Sequence, residues 1–433
     1  MSSLDFQVLI DQRRSHLFRK HIQAQHAELL PLGLLAFDAL LRTRRWSAAA
    51  WLAIAVALQA MASVYLFVFL VCALVVSLLV RPEDWLGERF RPLILRFAVA
   101  ALAAAVVLIP LFLPYWYLRT AGFVRSLDEA AWFSASLRDY LTTPARWYAW
   151  AGGDTALFPG AVALVLALVA CASGRVFRDP RARMGVAIGV LGVVFSFGPA
   201  VAPGYEQLYR FVPLLQAVRT SSRFGYLGIV SVSLLAGFGI ATVRAALARA
   251  RSSNARRPML AMAVTLFAVA GVSLEPLAAP LELERFDGIP AIYARPRERA
   301  DAVVVELPFP RPESIYLNAR ALLHATQHWR PLLNGYSGFV PPSYVARFAS
   351  LQDFPGDAAV TALRQAGVTH AFVQRGELSP VQQQQLDART DLRRIAAEGD
   401  IVLYEVRPSS ATSVLAPTNG HPTAVSLALA QVP

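Results

Sequence analysis

The chain has 433 residues, of which 56% are hydrophobic and only 16% charged. That is too apolar for an ordinary soluble protein of this length and indicates a membrane protein. The net charge of +12 is carried almost wholly by arginine, Lys20 being the single lysine, and these residues punctuate apolar runs instead of gathering on one polar domain, which excludes a nucleic-acid-binding design.

Residues 1–26 are polar, with Arg13, Arg14, Arg19 and Lys20 and no apolar stretch of the signal-peptide kind behind them. His16, His21 and His26 recur every five residues and so fall on different helical faces. Cys72 and Cys171 lie inside apolar runs, so neither a disulfide framework nor a zinc cluster is available.

From residue 27 the apolar segments follow one another, at roughly 27–41, 46–62, 63–80, 93–116, 157–174, 184–203, 223–243 and 258–279. A bilayer crossing needs about 20 residues. The run Trp46–Val80 is too long for one crossing, and Gln59, Ser63 and Tyr65 mark its turn. The expectation is a membrane all-α bundle of about eight transmembrane helices over residues 27–279.

The arginines set the orientation. The connections 42–46, 81–96, 175–183 and 244–257 hold 16 arginines in 44 residues, against 7 in 60 for 117–156 and 204–223. Cytoplasmic loops carry the excess of basic residues, so the first group faces the cytoplasm and the region after residue 280 lies outside it. The same alternation puts the basic residues of segment 1–26 outside. Either an odd number of earlier spans resolves that conflict, the sequence then reading as a truncated form or fragment of a longer protein, or the first apolar run, short and carrying Asp38, does not cross at all.

The first external loop, Tyr117–Ala156, alternates aromatics and charges: Arg125, Asp128, Glu129, Trp132, Asp139, Tyr140, Trp147, Trp150 and Asp154. It is either an aromatic girdle at the membrane surface or a ledge facing sugar or lipid headgroups, with Asp128, Glu129 or Asp139 as a catalytic carboxylate. Nothing in the spacing selects among the three. The second, Pro203–Phe224, reads as an amphipathic helix in the interface. Its Arg210, Arg219 and Arg223 either anchor the surface or bind a lipid phosphate, whose geometry suits guanidinium forks.

After Pro280 the pattern becomes that of a small extracytoplasmic α/β domain, residues 280–408. Ala302–Leu307 and Val368–Gln374 read as strands, Glu313–His328, Asp357–Ala366 and Pro380–Arg389 as helices, and Leu392–Ala397 with Ile401–Val406 as a strand pair around Gly399-Asp400. Strands separated by helices predict a largely parallel sheet, whose ligands gather beyond the strand ends at Glu306, Pro308, Gln374 and Arg375. Residues 409–433, rich in Ser, Thr, Ala and Pro, read as a disordered tail.

Within this domain Ala325–Tyr344 concentrates polar and aromatic groups. Asn334-Gly335 and Ser337-Gly338 call for tight turns and Pro341-Pro342 opposes a helix, so an ordered loop is expected. Either Trp329, Tyr336, Phe339 and Tyr344 pack it against the sheet while Asn334 caps a turn, or His328, Trp329, Arg330, Asn334, Tyr336 and Ser337 form a glycan-recognition surface of aromatic faces and hydrogen-bonding groups. His324 and His328, four apart, lack the glutamate of a metalloprotease helix, so no metal is assigned. GYSGF at 335–339 lacks the G-x-S-x-G frame of a hydrolase, and neither a Walker motif nor G-x-G-x-x-G is found. No cofactor is expected.

The segments HIQAQHAELLPLGLLAF at 21–37, SASLRDYLTTP at 134–144, LFPG at 157–160, VPLLQAVRTSSRF at 212–224, and VVVELPF followed by HWRPLLNGYSGFVPPSY carry a family resemblance. Through them, most of residues 20–407 resembles the carboxyl-terminal two thirds of bacterial polytopic membrane proteins of the GT-C glycosyltransferase-like class. The resemblance implies an inner-membrane protein that works with sugars linked to polyprenyl phosphate and with envelope glycan, Arg210, Arg219 and Arg223 facing the lipid phosphate. In that class the catalytic carboxylate stands in the first external loop after the first span, upstream of this sequence, so an inactive or truncated form is expected. The alternative is a non-catalytic component of envelope assembly or transport whose external domain binds glycan or protein. A transporter ranks low because the spans hold almost no charges to mark a pathway.

Overall fold

A computed structural model describes residues 27–120, 127–148, 155–199, 201, 204–213, 215–249, 256–277, 286–337 and 340–408. Segments 1–26 and 409–433, and Arg125, Trp150, Asp154 and Phe339, lie outside the described residues, as does the side chain of Glu129. The chain divides into two compact units, Met1–Glu282 and Leu283–Pro433.

The first unit is helical. Its main helices are α1 Leu29–Thr43, α2 Trp46–Ala62, α3 Val64–Leu79, α4 Phe90–Thr120, α5 Ala161–Ala172, α6 Pro180–Ser196, α7 Gly225–Arg249 and α8 Arg256–Leu274. Every apolar segment of the sequence has become a helix, though most of these helices are shorter than the spans expected. By length and composition only Phe90–Thr120 and Ser221–Arg249 can cross a membrane unaided, among the described residues. The reason is rise: α1, α2, α3, α5 and α6 have 12–17 residues. At 1.5 Å per residue they reach about 18–26 Å, short of a hydrocarbon layer of about 30 Å.

Local signals fix the helix ends. Ser63 is extended between α2 and α3, and its Oγ accepts the Leu66 N–H. Asp179 caps α6, where Pro180 takes the first position and sacrifices no hydrogen bond. Small residues let the helices approach closely: a Cβ on Gly239 of α7 would stand 1.9 Å from the Leu166 carbonyl oxygen of α5. Outward faces stay apolar, with Leu102, Val106 and Ile109 of α4 and Phe267 of α8 all more than half exposed. Such a surface suits hydrocarbon better than water.

One charged cluster is buried among these helices. Arg81 is 1% exposed, its Nη1 2.8 Å from Asp38 Oδ1 and its Nε 2.7 Å from Asp84 Oδ2, while Arg42 Nε reaches Asp38 Oδ2 at 3.1 Å. This arrangement explains how α1 tolerates an aspartate.

The second unit is a four-stranded sheet of β1 Val304–Leu307, β2 His370–Gln374, β3 Leu392–Glu398 and β4 Ile401–Val406, in the order β1-β2-β4-β3. It is mixed, not largely parallel. β1 and β2 pair in parallel, whereas β4 runs antiparallel to both β2 and β3. The two-residue turn Gly399-Asp400, with Gly399 at φ +57°, can join only antiparallel strands. Helices α9 Asn318–Ala325, α10 Pro342–Leu351, α11 Asp357–Gln365 and α12 Pro380–Asp387 accompany the sheet. Strand alternation divides the core: Val305, Leu307, Ala371, Val373 and Val402 form one cluster, and Val304, Phe372, Leu403, Ile292 and Tyr293 the other.

Two expectations change. The predicted helix Glu313–His328 is a 3-10 segment, Pro312–Leu317, followed by the shorter α9. Pro341-Pro342 does not oppose a helix: Pro342 starts α10, where its missing N–H costs nothing.

Replacing Asp38 with alanine leaves Arg81 buried beside a single carboxylate and should destabilise the first unit by about 3–5 kcal/mol. Unfolding of the detergent-solubilised protein measures this, and pairing the change with Arg81→Met should recover most of the loss. An unaltered midpoint for Asp38→Ala alone would contradict the assignment.

Candidate functional site

In the first unit, the segment expected to be one amphipathic helix is broken by Val212-Pro213 into the helix Tyr205–Phe211 and the short turns Leu215–Ala217 and Ser221–Phe224. It is stitched to residues 127–140. Ser221 Oγ donates to the Ala130 carbonyl at 3.0 Å and bonds Tyr205 Oη at 3.0 Å, and Ser222 N–H donates to the Phe133 carbonyl at 3.0 Å. Tyr140 Oη and Ser196 Oγ lie 2.7 Å apart, tying the same region to the end of α6.

Two of the three sequence-selected arginines rest on this framework. The Arg219 guanidinium sits 4.7 Å above the Phe133 ring, and that of Arg223 sits 4.6 Å above Tyr65 at the start of α3. Both are half-buried. Among the described residues Arg223 has no carboxylate partner. A guanidinium lying on a ring keeps its in-plane N–H groups for an anion. Arg119, at the end of α4, donates to Gln216, which in turn donates to the Tyr209 carbonyl at 2.8 Å. Arg210 stands apart from the pair: it is exposed and paired with Glu206 on its own helix.

The candidate carboxylates divide differently. Asp139 accepts from Ser136 N–H at 2.7 Å, Ser136 Oγ at 2.8 Å and Thr155 N–H at 3.1 Å, so it holds the loop together. Asp128 is exposed. A carboxylate missed by sequence reasoning, Glu275, accepts from the Val162 N–H at 3.1 Å and from Ala161 N–H and Tyr148 Oη, and so caps α5.

In the second unit, the residues expected to recognise glycan do not share one surface. His328 is 2% and Asn334 1% exposed. Asn334 Oδ1 accepts the Glu306 N–H at 2.7 Å, and its Nδ2 donates to the Glu306 carbonyl at 2.9 Å and to Asn318 Oδ1 at 3.1 Å. It is therefore a false strand partner for β1, not a turn cap. Asn318 continues the network to Tyr344 Oη at 2.8 Å. His328 Nδ1 accepts the Arg330 N–H at 3.0 Å. Burial, with Arg330 and His370 nearby, holds this imidazole down at about 4, so it is neutral at pH 7.

The outer face of the segment is aromatic. Trp329 is 78% and Tyr336 44% exposed, with Ser337 exposed beside them, so neither ring packs on the sheet. Trp329 also holds φ +52°, a conformation a bulky residue adopts only under constraint. The constraint is its neighbour, since Trp329 N–H donates to the Ala325 carbonyl at 2.8 Å while His328 is held inside.

Beside Asn334 lies a buried acid–imidazole pair. Glu306, at the carboxyl end of β1, places its oxygens 3.0 and 3.1 Å from His324 Nδ1, and Tyr293 Oη donates to it at 3.3 Å. The Tyr293 ring stacks on His324 at 3.9 Å, and burial beside Glu306 raises its phenol. The sequence marked Glu306 and His324 but not Tyr293, which sits in a Pro/Arg-rich 3-10 segment with no periodicity. Arg375, also expected at a ligand-binding strand end, is tied to Asp387 and Tyr404. Among the described residues, no three His, Cys, Asp or Glu are grouped to hold a metal ion.

No family model and no curated protein matches this sequence. Among solved structures, the chain is similar to the cryo-EM structure of the arabinofuranosyltransferase AftD from mycobacteria, with a TM-score of 0.50 and 16% identity. The likeness covers 88% of this chain and 30% of that one, and at this identity it concerns the fold.

The neutral His328 gives a pH dependence. Its folded value lies below the unfolded one, so the stability of the neutral form is complete above pH 6.5 and lost as pH falls through about 4. The loss should be at most about 3 kcal/mol. His370, also lowered by burial, acts in the same direction. Thermal unfolding of the full chain between pH 7 and 4 should show the second unit weakening, and His328→Leu should flatten the slope. An unchanged slope in that variant would contradict the assignment.

Proposed function

We propose that this chain is a multi-span bacterial inner-membrane protein, related to the polyprenyl-phosphate-sugar-dependent glycosyltransferases of the cell envelope, in which Arg219 and Arg223 receive a lipid phosphate. The observation that carries the reading is the pair of half-buried guanidinium groups laid on Phe133 and Tyr65, one of them without a carboxylate partner among the described residues. The fold likeness to an arabinofuranosyltransferase supports it. In this reading the shorter helices α1, α2, α3, α5 and α6 cross the bilayer as part of the bundle, by tilting or by thinning it. The second unit stands outside the cytoplasm and offers Trp329, Tyr336 and Ser337 to envelope glycan.

A second reading is favoured by Asp139. With three donors already on its carboxylate, it serves the loop and not a sugar, and Asp128 is exposed. The chain then binds lipid-linked sugar or glycan without transferring it, as a component of envelope assembly.

Arg219→Ala with Arg223→Ala should weaken binding of a polyprenyl-phosphate probe to the purified full chain by tenfold or more. Each charge-assisted hydrogen bond to phosphate is worth about 1.5–3 kcal/mol. Unchanged binding would leave the two arginines as surface anchors. Trp329→Ala should reduce retention of the full chain by envelope glycan several-fold without altering the phosphate probe; equal retention would remove the tryptophan from any recognition surface.

A further inference from the structure

The opposite end of the first unit holds a feature that the arginine ledge does not use. Between α1, α2, α3 and α4 lies a cleft of about 250 Å³ whose lining is entirely aliphatic and aromatic, including Phe37, Leu52, Val56, Leu74, Leu78 and Phe97. A space of that size and character takes hydrocarbon and excludes water. On α4 its lining residues Phe97, Ala100, Ala101 and Ala104 fall on one helical face.

Basic groups stand at one end of this cleft. Arg96 immediately precedes Phe97, about 6 Å along the helix axis from Ala100 and about 12 Å from Ala104. Its guanidinium lies 5.0 Å from the ring of Trp46, the first residue of α2, and its Nη1 donates to the Pro92 carbonyl at 2.5 Å. Arg44 lies two residues before Trp46, in the left-handed cap that ends α1. The Nε atoms of Arg44 and Arg96 are buried, and neither has a hydrogen-bond partner among the described residues. A buried donor without an acceptor is costly, and more so on a cationic group. The charge here is also incompletely paired: the connection 42–46 carries Arg42, Arg44 and Arg45, and of these three, among the described residues, only Arg42 reaches a carboxylate, that of Asp38.

We propose that the cleft, with Arg44 and Arg96 at its mouth, binds an anionic diacyl phospholipid of the surrounding membrane. The phosphate supplies an acceptor for the Nε of each arginine, and one acyl chain runs along α4 over Ala100 and Ala104. Trp46, half exposed beside Arg96, marks the level of the headgroup. A zwitterionic lipid offers the same chains but returns a positive charge to a basic mouth. A soluble anion offers no hydrocarbon for the cleft. The charge and the apolar face lie about one helical turn apart, and an amphiphile with adjoining phosphate and chain meets both. The inference rests on the membrane reading but not on glycosyl transfer, and it concerns the end of the bundle that the arginine distribution assigns to the cytoplasm.

The test uses the full chain purified in non-ionic detergent, with equimolar phosphatidylglycerol and phosphatidylcholine added, and counts retained lipid by native mass spectrometry. The unmodified protein should retain phosphatidylglycerol at least tenfold over phosphatidylcholine. Arg44→Gln with Arg96→Gln should bring that ratio to within twofold of unity, and Ala101→Phe, which fills the cleft, should reduce retention of both lipids. Should Ala101→Phe fail to fold, phosphatidylglycerol brominated on its chains should quench the fluorescence lost in Trp46→Phe, and the phosphatidylcholine analogue should not. Equal retention of the two lipids, a preference untouched by the arginine changes, or displacement of phosphatidylglycerol by polyprenyl phosphate at equal concentration would overturn the assignment. A chain that stays in solution without detergent would overturn the membrane reading itself, so the two failures are distinct.

Discussion

An apolar setting leaves no water to satisfy a polar group, and the first unit is arranged around that constraint. Several charged or hydroxylic side chains within it are held by ion pairs or hydrogen bonds that tie separate segments together. Asp38 meets Arg81, Glu275 caps α5 from the far end of α8, Asp139 gathers Ser136 and Thr155, and Ser221 reaches Ala130. These contacts bind helices whose mutual attraction is otherwise only close packing at small residues such as Gly239.

The places where that satisfaction stops are therefore informative. Arg223 lies on a ring, and the Nε atoms of Arg44 and Arg96 are buried with nothing to accept them. The partner proposed in each case is a lipid phosphate, the abundant anion of a membrane. The second unit obeys the same logic in water. Asn334 extends the edge of β1, Glu306 is shared by His324 and Tyr293, and the interior closes so tightly that Trp329 is turned out in a left-handed conformation. An outlying tryptophan held by a buried polar network presents a fixed apolar face.

The helices of the first unit were legible because their apolar runs are bounded by arginine, proline and serine, signals that act within a few residues. Ser63 breaks α2 from α3 where the sequence placed a turn, and the terminal hairpin closes on Gly399-Asp400 as its residues require. Helix length was less legible: apolar composition extends beyond the hydrogen-bonded turns, so α5 is shorter than its run. What sequence pattern could not reveal was pairing across distance. The role of Asp139 depends on Thr155, that of Asn334 on Glu306, and the exposure of Trp329 on the burial of His328. None of these partners is at a spacing that a local pattern encodes. Tyr293 was missed for the same reason, because its value lies in stacking on His324.

The central claim is that the first unit spans a membrane with the Arg219–Arg223 end and the second unit on the external side. Alkaline phosphatase, active only outside the cytoplasm, reads this directly in a bacterial host. Fused after Val406 it should be active, and fused after Gly174, in an arginine-rich connection, it should be inactive. The reverse pattern, or activity at neither position, would contradict the account.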